Sequence, residues 1–313
     1  MIVSCGEALI DFLPRPAPAD AARPDAPPTF TGFPGGSPFN VAIAVGRLGQ
    51  PAGFFGGLSS DFFGAMLQRA LQQSGVDTML ANLSDRPTTL AFVSLAEGNA
   101  RYAFFDEGSA GRMVAENDLP ALPKAVSTLH FGSFSLAEEP CGSAFEALMR
   151  RERNDRVISL DINVRQTLIK NREGYLARID RLAAMADLVK LSEEDLEWLA
   201  PGSPFEPLAE RLQKLGTSIV VLTRGANGAV ALSGNLRADV PGVPVKVADT
   251  IGAGDTFTAG MLAWLARQEL LTKSAVAGLS VKQATGMLAF AARAAAITVS
   301  RPGADPPWLR ELA

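Results

Sequence analysis

The chain has 313 residues and a formal charge of −4, with 20% charged and 47% hydrophobic residues. That is ordinary globular composition, and the length is ample for a large core. Lys and Arg are scattered, so neither a nucleic acid nor a membrane surface is indicated as a partner, and no apolar run is long enough to span a bilayer.

The opening "MIVSCG" reads as a strand. The surrounding "MIVSCGEALIDFLP" has no basic leader and meets an acid at Glu7, unlike a signal peptide. Residues 14–34, "PRPAPADAARPDAPPTFTGFP", are rich in Pro and Ala and read as a surface excursion, since strand–helix units continue on both sides. "NVAIAVGRLG" reads as a helix ending at Gly49, "AGFFGGL" as a strand, and "DFFGAMLQRALQQSG" as a helix stopped at Gly75. Residues 88–106, "TTLAFVSLAEGNARYAFFD", alternate and turn at "EGN", the pattern of an antiparallel hairpin.

Further on, "STLHFGS", "RVISLDIN", "ADLVKLS" and "TSIVVLTRG" are short apolar strands. Helical patterns such as "GYLARIDRLAAMA" and "FEPLAERLQKLG" separate them. The alternation predicts an α/β fold with a mostly parallel sheet and helices on both faces. The two irregular excursions predict a small β cover over one end of it. No internal repeat is found.

Residue types narrow the chemistry. The only histidine, His130, lies in a strand-like segment and reads as structural. A Ser-His-Asp triad and a two-His metal site are thereby excluded. Acid–base work must fall to a carboxylate, a lysine or a tyrosine. Cys5 and Cys141 are far apart in sequence and form neither a disulfide framework nor a zinc spacing, which fits a reducing, cytoplasmic setting.

In open α/β sheets ligands sit beyond the carboxyl ends of the strands. The polar residues that follow strands here are Glu7, Asp11, Asp161, Asn163, Arg165, Lys190, Ser192, Thr223, Arg224, Asp249 and Asp255. The stretch "DTIGAGDTFTAG", residues 249–260, sets Gly252, Ala253 and Gly254 before Asp255 at a helix start. Unpaired amides there make an anion cradle. An acid beside them reads either as a helix cap or as a base taking the proton of an attacking hydroxyl. In "FPGGSPFNVAIAVGRLG", residues 33–49, Gly35 and Gly36 read as a plain turn or as close backbone approach to a ligand. Asn40 reads as a cap or, with Asp11, as a grip on a polyol. Neither a dinucleotide fingerprint nor a P-loop is present.

Both stretches together make the chain resemble the ribokinase-like sugar kinase family, and most its bacterial fructokinases. "PGGSPFNVA" is similar to the N-terminal signature and "DTIGAGDTFTAG" to the C-terminal one; the similarity extends from "GEALIDF" to "VSRPGADPP". The resemblance implies one kinase domain over 1–313, a ribokinase-like three-layer sandwich with lid segments near 12–34 and 88–106. It implies transfer of the ATP γ-phosphoryl group to a primary sugar hydroxyl, with Asp255 as base and Gly252, Ala253 and Gly254 as anion hole. Sugar contacts would be Asp11, Gly35, Gly36, Asn40, Tyr102 and Phe104, with Asp161, Asn163 and Arg165 from "DINVR". Lys190, Ser192, Thr223, Gly225 and Gly228 would serve the nucleotide.

The resemblance also implies Mg²⁺, organised through water by Asp195 or Glu194, where the family often has Asn-x-x-Glu and this chain has Ser192 and Asp195. A monovalent cation such as K⁺ would use Asp249, Ile251, Thr298, Arg301 and Gly303, largely through carbonyls. "Ser109-Ala110-Gly111-Arg112" departs from the family's pattern, with Gly111 in place of an acid. Fructose is the expected sugar, 2-keto-3-deoxygluconate the next, ribose or a nucleoside the third. A sugar-binding protein without turnover and a nicotinamide oxidoreductase are the readings from other classes. A homodimer through the lid is expected.

Overall fold

In the computed structural model, residues 1–15, 29–96 and 99–312 are described. The chain enters with β1 (Ile2–Cys5), β2 (Leu9–Arg15) and β3 (Thr29–Gly35), then α1 (Ser37–Arg47). Next come β4 (Ala52–Phe55), β5 (Gly57–Ser59), α2 (Phe62–Gln73), β6 (Val76–Asp77) and β7 (Asn82–Ser84). A hairpin of β8 (Thr89–Ala96) and β9 (Asn99–Phe105) precedes β10 (Thr128–Gly132), α3 (Cys141–Glu152), β11 (Val157–Asp161), α4 (Arg172–Ala183) and β12 (Leu188–Ser192). The remainder is α5 (Glu193–Leu199), α6 (Phe205–Leu215), β13 (Ile219–Thr223), β14 (Ala229–Ser233), β15 (Leu236–Val240), α7 (Ala253–Arg267), α8 (Lys273–Ala277) and α9 (Val281–Val299).

Nine strands form the main sheet in the order β15-β14-β13-β12-β11-β10-β1-β4-β6. From β6 to β13 neighbouring strands are parallel; only β14 and β15 run antiparallel at one edge. The central strands are apolar on both faces because helices cover both. One core holds α1, α2, α7 and α9 against the sheet, including Phe39, Phe54, Leu262 and Leu288. The other holds α3, α4 and α6, including Phe145, Ile179 and Leu212. This is the three-layer α/β sandwich that the alternating pattern predicts.

The two excursions pair with each other. β3-β2-β8-β9 is a separate four-stranded sheet, with β2–β3 and β8–β9 antiparallel and β2–β8 parallel. It is the small β lid. Residues 16–28 of the Pro/Ala-rich stretch lie outside the described residues.

One boundary differs from the sequence reading. "AGFFGGL" is two strands, β4 in the main sheet and β5 paired with β7 in a two-stranded ribbon. The break falls at Gly56, where a Cβ would lie 2.1 Å from the Gly6 carbonyl oxygen. His130 is fully buried, with Nδ1 3.1 Å from Ser159 Oγ. Burial, and secondarily the charge of Lys190, push its pKa down to about 3, so it stays neutral. Cys5 and Cys141 are both free and buried.

Candidate active site

The starts of α1 and α7 meet at the carboxyl end of the main sheet. Gly36 caps α1 at φ 106°, and a Cβ there would lie 2.7 Å from the Glu7 carbonyl oxygen. Gly252 caps α7 in the left-handed region at φ 74°. A side chain would strain either position. These two turns bring "GGSPFN" face to face with "GAGD".

Asp255 is 7% exposed. It does not cap its own helix. Ser37 Oγ donates to its Oδ1 at 2.6 Å, and Asn40 Nδ2 donates to its Oδ2 at 2.9 Å. Asn40 therefore does not cap α1 either: it lies inside the first turn, with its own N–H on the Gly36 carbonyl. Burial pushes the Asp255 pKa up; the bonds from Ser37 and Asn40 pull it down, Asp161 pushes it up and Lys190 pulls it down. The net direction is upward from the usual carboxylate value.

Beneath Asp255 is a buried ion pair. Lys190 Nζ donates to Asp161 Oδ2 at 2.9 Å, and Thr258 Oγ1 donates to the same oxygen at 3.0 Å. Asp161, expected at the substrate, has no exposed surface. Lys190, expected at the nucleotide, is 5% exposed, and its Nζ lies 3.0 Å from where a Cβ of Gly254 would stand. Both residues occur because strands buried on both faces carry a charge only if it is paired. Burial acts to lower the Lys190 pKa, but Asp161, Asp195 and Asp255 outweigh it and the ammonium is held.

Asn163 and Arg165 follow β11. Asn163 adopts φ 42° and donates through Nδ2 to Ser37 Oγ at 2.9 Å; Arg165 Nη1 donates to Asn163 Oδ1 at 2.6 Å. On the lid side, the Asp11 carboxylate lies against Gly35, where a Cβ would come within 2.2 Å of its Oδ2. Burial, aided by Asp255 and opposed by Arg165, pushes Asp11 up to about 6. Phe104 packs on Phe134 with ring centroids 5.4 Å apart, in a small cluster with Leu9 and Ala91. Tyr102 pairs with Val93 in the lid hairpin; its side chain lies outside the described residues.

The residues expected at the nucleotide lie at the ends of neighbouring strands. Ser192 ends β12 and caps α5, while Thr223 ends β13. Gly225 (φ 50°) and Gly228 (φ 87°) bracket a tight turn into β14. Asp195 spends both oxygens on protein donors: Oδ1 accepts from Val164 N, Oδ2 from Ser192 N and Oγ. Glu194 is exposed. Among the described residues no group of three His, Cys, Asp or Glu is placed to hold a metal ion.

The residues expected around a monovalent cation cluster where α7 begins and α9 ends. Asp249 accepts from Ile251 N at 3.0 Å and from Gly303 N at 2.9 Å; Arg301 N donates to the Thr298 carbonyl, and Thr298 Oγ1 to Thr256. Two participants were not singled out in the sequence. Ser37 sits inside the quoted motif, and its hydroxyl beside two glycines was the available signal. Glu7 was noted only as a polar residue after a strand. It is 3% exposed, accepts from Ser37 N at 3.2 Å, and burial pushes it to about 7 against bonds from Ser135, Ser133 and Ser37.

The site can hold an anion against the amides of α7 while a buried carboxylate faces an acceptor group from the lid side. The comparisons agree with that chemistry. The family model for pfkB family carbohydrate kinases matches residues 1–311. A fructokinase of Rhizobium leguminosarum bv. trifolii is 47% identical over 279 residues, 89% of this chain and 84% of that one. The crystal structure of a Xylella fastidiosa fructokinase with bound ATP superposes with a TM-score of 0.90 at 30% identity, covering 99% and 96% of the two chains. A Vibrio cholerae O395 fructokinase bound to fructose, ADP and calcium superposes at 0.82 with 28% identity, covering 97% and 94%. The fold is the ribokinase-like one, and the chain belongs to the pfkB family of carbohydrate kinases.

Proposed function

We propose that this sugar kinase transfers the γ-phosphoryl group of ATP to a primary hydroxyl of fructose, within one kinase domain over 1–313 whose lid lies in 12–34 and 88–106. The carrying observation is the Asp255 carboxylate, buried and held by Ser37 and Asn40 at the amide-rich start of α7. Asp255 takes the hydroxyl proton as the sugar oxygen bonds to the γ-phosphorus and the bond to the β-phosphate oxygen breaks, releasing ADP. The amides of Gly252, Ala253 and Gly254 stabilise the charge on the transferring group. Asp11, Gly35, Gly36, Tyr102, Phe104 and Arg165 border the sugar, and Asn40 and Asn163 act behind it. Ser192, Thr223, Gly225 and Gly228 border the nucleotide. Closing the lid excludes the water that would compete as acceptor.

Mg²⁺ would arrive on the ATP phosphates and neutralise their charge. The residues present fit such an ion with most of its waters kept, because both Asp195 oxygens already accept from protein donors, while Glu193 and Glu194 at the start of α5 are exposed. K⁺ would sit among the carbonyls around Ile251, Thr298, Arg301 and Gly303, beside Asp249. The lid's outer face carries the exposed Phe30 and Phe105, which supports pairing of two copies there. Free, buried Cys5 and Cys141 fit a cytoplasmic setting.

Fructose ranks first because relatives across nearly the whole chain are fructokinases. The exposed guanidinium of Arg165 favours 2-keto-3-deoxygluconate as the second choice, since it could pair with that sugar acid's carboxylate. An ADP-release assay over fructose, 2-keto-3-deoxygluconate, ribose and a nucleoside separates the readings. Fructose should give the highest kcat/KM; turnover on the keto-acid with none on fructose reverses the order.

A further inference from the structure

A line of donors ends on Asp255. Arg165 Nη1 donates to Asn163 Oδ1 at 2.6 Å. A guanidinium has no acceptor, so this contact fixes which end of the Asn163 amide is the oxygen. The amide nitrogen then faces Ser37 and donates to its Oγ at 2.9 Å. A serine hydroxyl carries a single hydrogen. With Asn163 acting as donor to it, that hydrogen is left for Asp255 Oδ1, 2.6 Å away. Ser37 is itself anchored, 5% exposed and with its N–H on Glu7 Oε1. Each bond direction in the line is set by the group before it.

We propose that Ser37 is a positioning residue for phosphoryl transfer, aiming the Asp255 carboxylate through a hydroxyl whose direction Arg165 and Asn163 fix. The inference rests on Asp255 being the base. With Asn40 on Oδ2, the carboxylate is held at both oxygens, yet each oxygen keeps room for another donor, such as a sugar hydroxyl. The Ser37 hydroxyl also favours the ionised carboxylate. It opposes burial and the neighbouring Asp161, in company with Asn40 and Lys190. Asp11 and Arg165 on the lid side and Glu7 behind Ser37 are the other charged or titratable groups around this line.

The test is the pH profile of kcat for Ser37→Ala, Asn163→Ala, the double variant and Asp255→Asn, with fructose and ATP. A lost hydrogen bond to a charged group predicts that in Ser37→Ala the acidic limb moves up by about one pH unit and kcat at neutral pH falls about tenfold. KM for both substrates should stay within about threefold, since the lost contact acts on the base. Asn163→Ala should shift the limb the same way by less, and the double variant should be no worse than Ser37→Ala, as for one chain of coupled groups. Ser37→Thr, which keeps the hydroxyl, should recover the wild-type limb. An unmoved limb in Ser37→Ala, with Asp255→Asn inactive, overturns the positioning role and leaves the base intact. Retained turnover in Asp255→Asn overturns both. Should Ser37→Ala fail to fold, the limb in Asn163→Ala decides alone.

Discussion

Asn40 Nδ2 donates to Asp255 Oδ2 across 2.9 Å, joining the first turns of α1 and α7. The bond spans 215 positions of sequence, so neither motif is complete without the other. It orients a carboxylate that burial has made more basic than usual. Asp255→Asn keeps the size and one acceptor oxygen for its two donor neighbours, but it cannot accept the acceptor's proton. Turnover is expected to fall by about 10²–10⁴-fold, the usual contribution of a general base, with KM for ATP and sugar little changed. Steady-state kinetics check this; a loss under about tenfold would reassign the base.

Much of this site was legible in the sequence because it depends on backbone shape. Gly36 and Gly252 have positive φ, and glycine is the residue that tolerates it. The strand pattern located the carboxyl ends where ligands gather. The ion pair of Asp161 and Lys190 was not legible for a physical reason: a polar residue at a strand end looks alike whether or not it is paired within the fold. Their pairing across neighbouring strands is set by register, Asp161 beside Lys190, which a single sequence does not display. Asn40 was read as cap or sugar contact because its partner lies on a helix far along the chain. The break at Gly56 was missed because "GG" inside an apolar run resembles a continuous strand.

The two glycines proposed for the anion hole should respond differently to alanine. At Gly252 a Cβ would lie 2.7 Å from that of Ala304 and the backbone is left-handed. Gly252→Ala should cost about 1–2 kcal/mol of stability, visible as a lowered Tm. Gly254 is helical, and a Cβ meets only Lys190 Nζ, at 3.0 Å. Gly254→Ala should keep its Tm, because the Lys190 chain end need shift only slightly and stays on Asp161, and lose kcat, because the methyl crowds the cradle. Thermal melts paired with kinetics test this, and the reverse pattern would mean the cradle lies elsewhere.

The Asp161–Lys190 pair makes a stability prediction. Asp161→Ala removes the hydrogen-bonded partner of the buried Lys190 ammonium and leaves it only the charges of Asp195 and Asp255, which do not bond to it; breaking such a pair costs about 3–5 kcal/mol. Replacing both, as Asp161→Ala with Lys190→Met, removes the stranded charge and should recover most of that loss. Denaturant unfolding of the two singles and the double gives the coupling energy. Additive losses would show that the two groups are not interdependent.

Glu7 supplies the pH dependence. Its carboxyl is fully surrounded, and burial raises it from 4.5 to about 7, despite bonds from Ser135, Ser133 and Ser37. In the unfolded chain it titrates at the lower value. The folded state therefore binds the proton more tightly, and this contribution to stability is complete below pH 4.5. It is lost as pH rises through about 7, by up to roughly 3 kcal/mol at 1.36 kcal/mol per unit. Glu7→Gln keeps an acceptor for Ser37 N and carries no titrating proton. The stability of the variant relative to wild type should therefore grow between pH 4.5 and 7 and level off above that range. Unfolding free energies measured at half-unit steps would show the divergence. Parallel curves would mean that Glu7 reaches water and is ionised throughout.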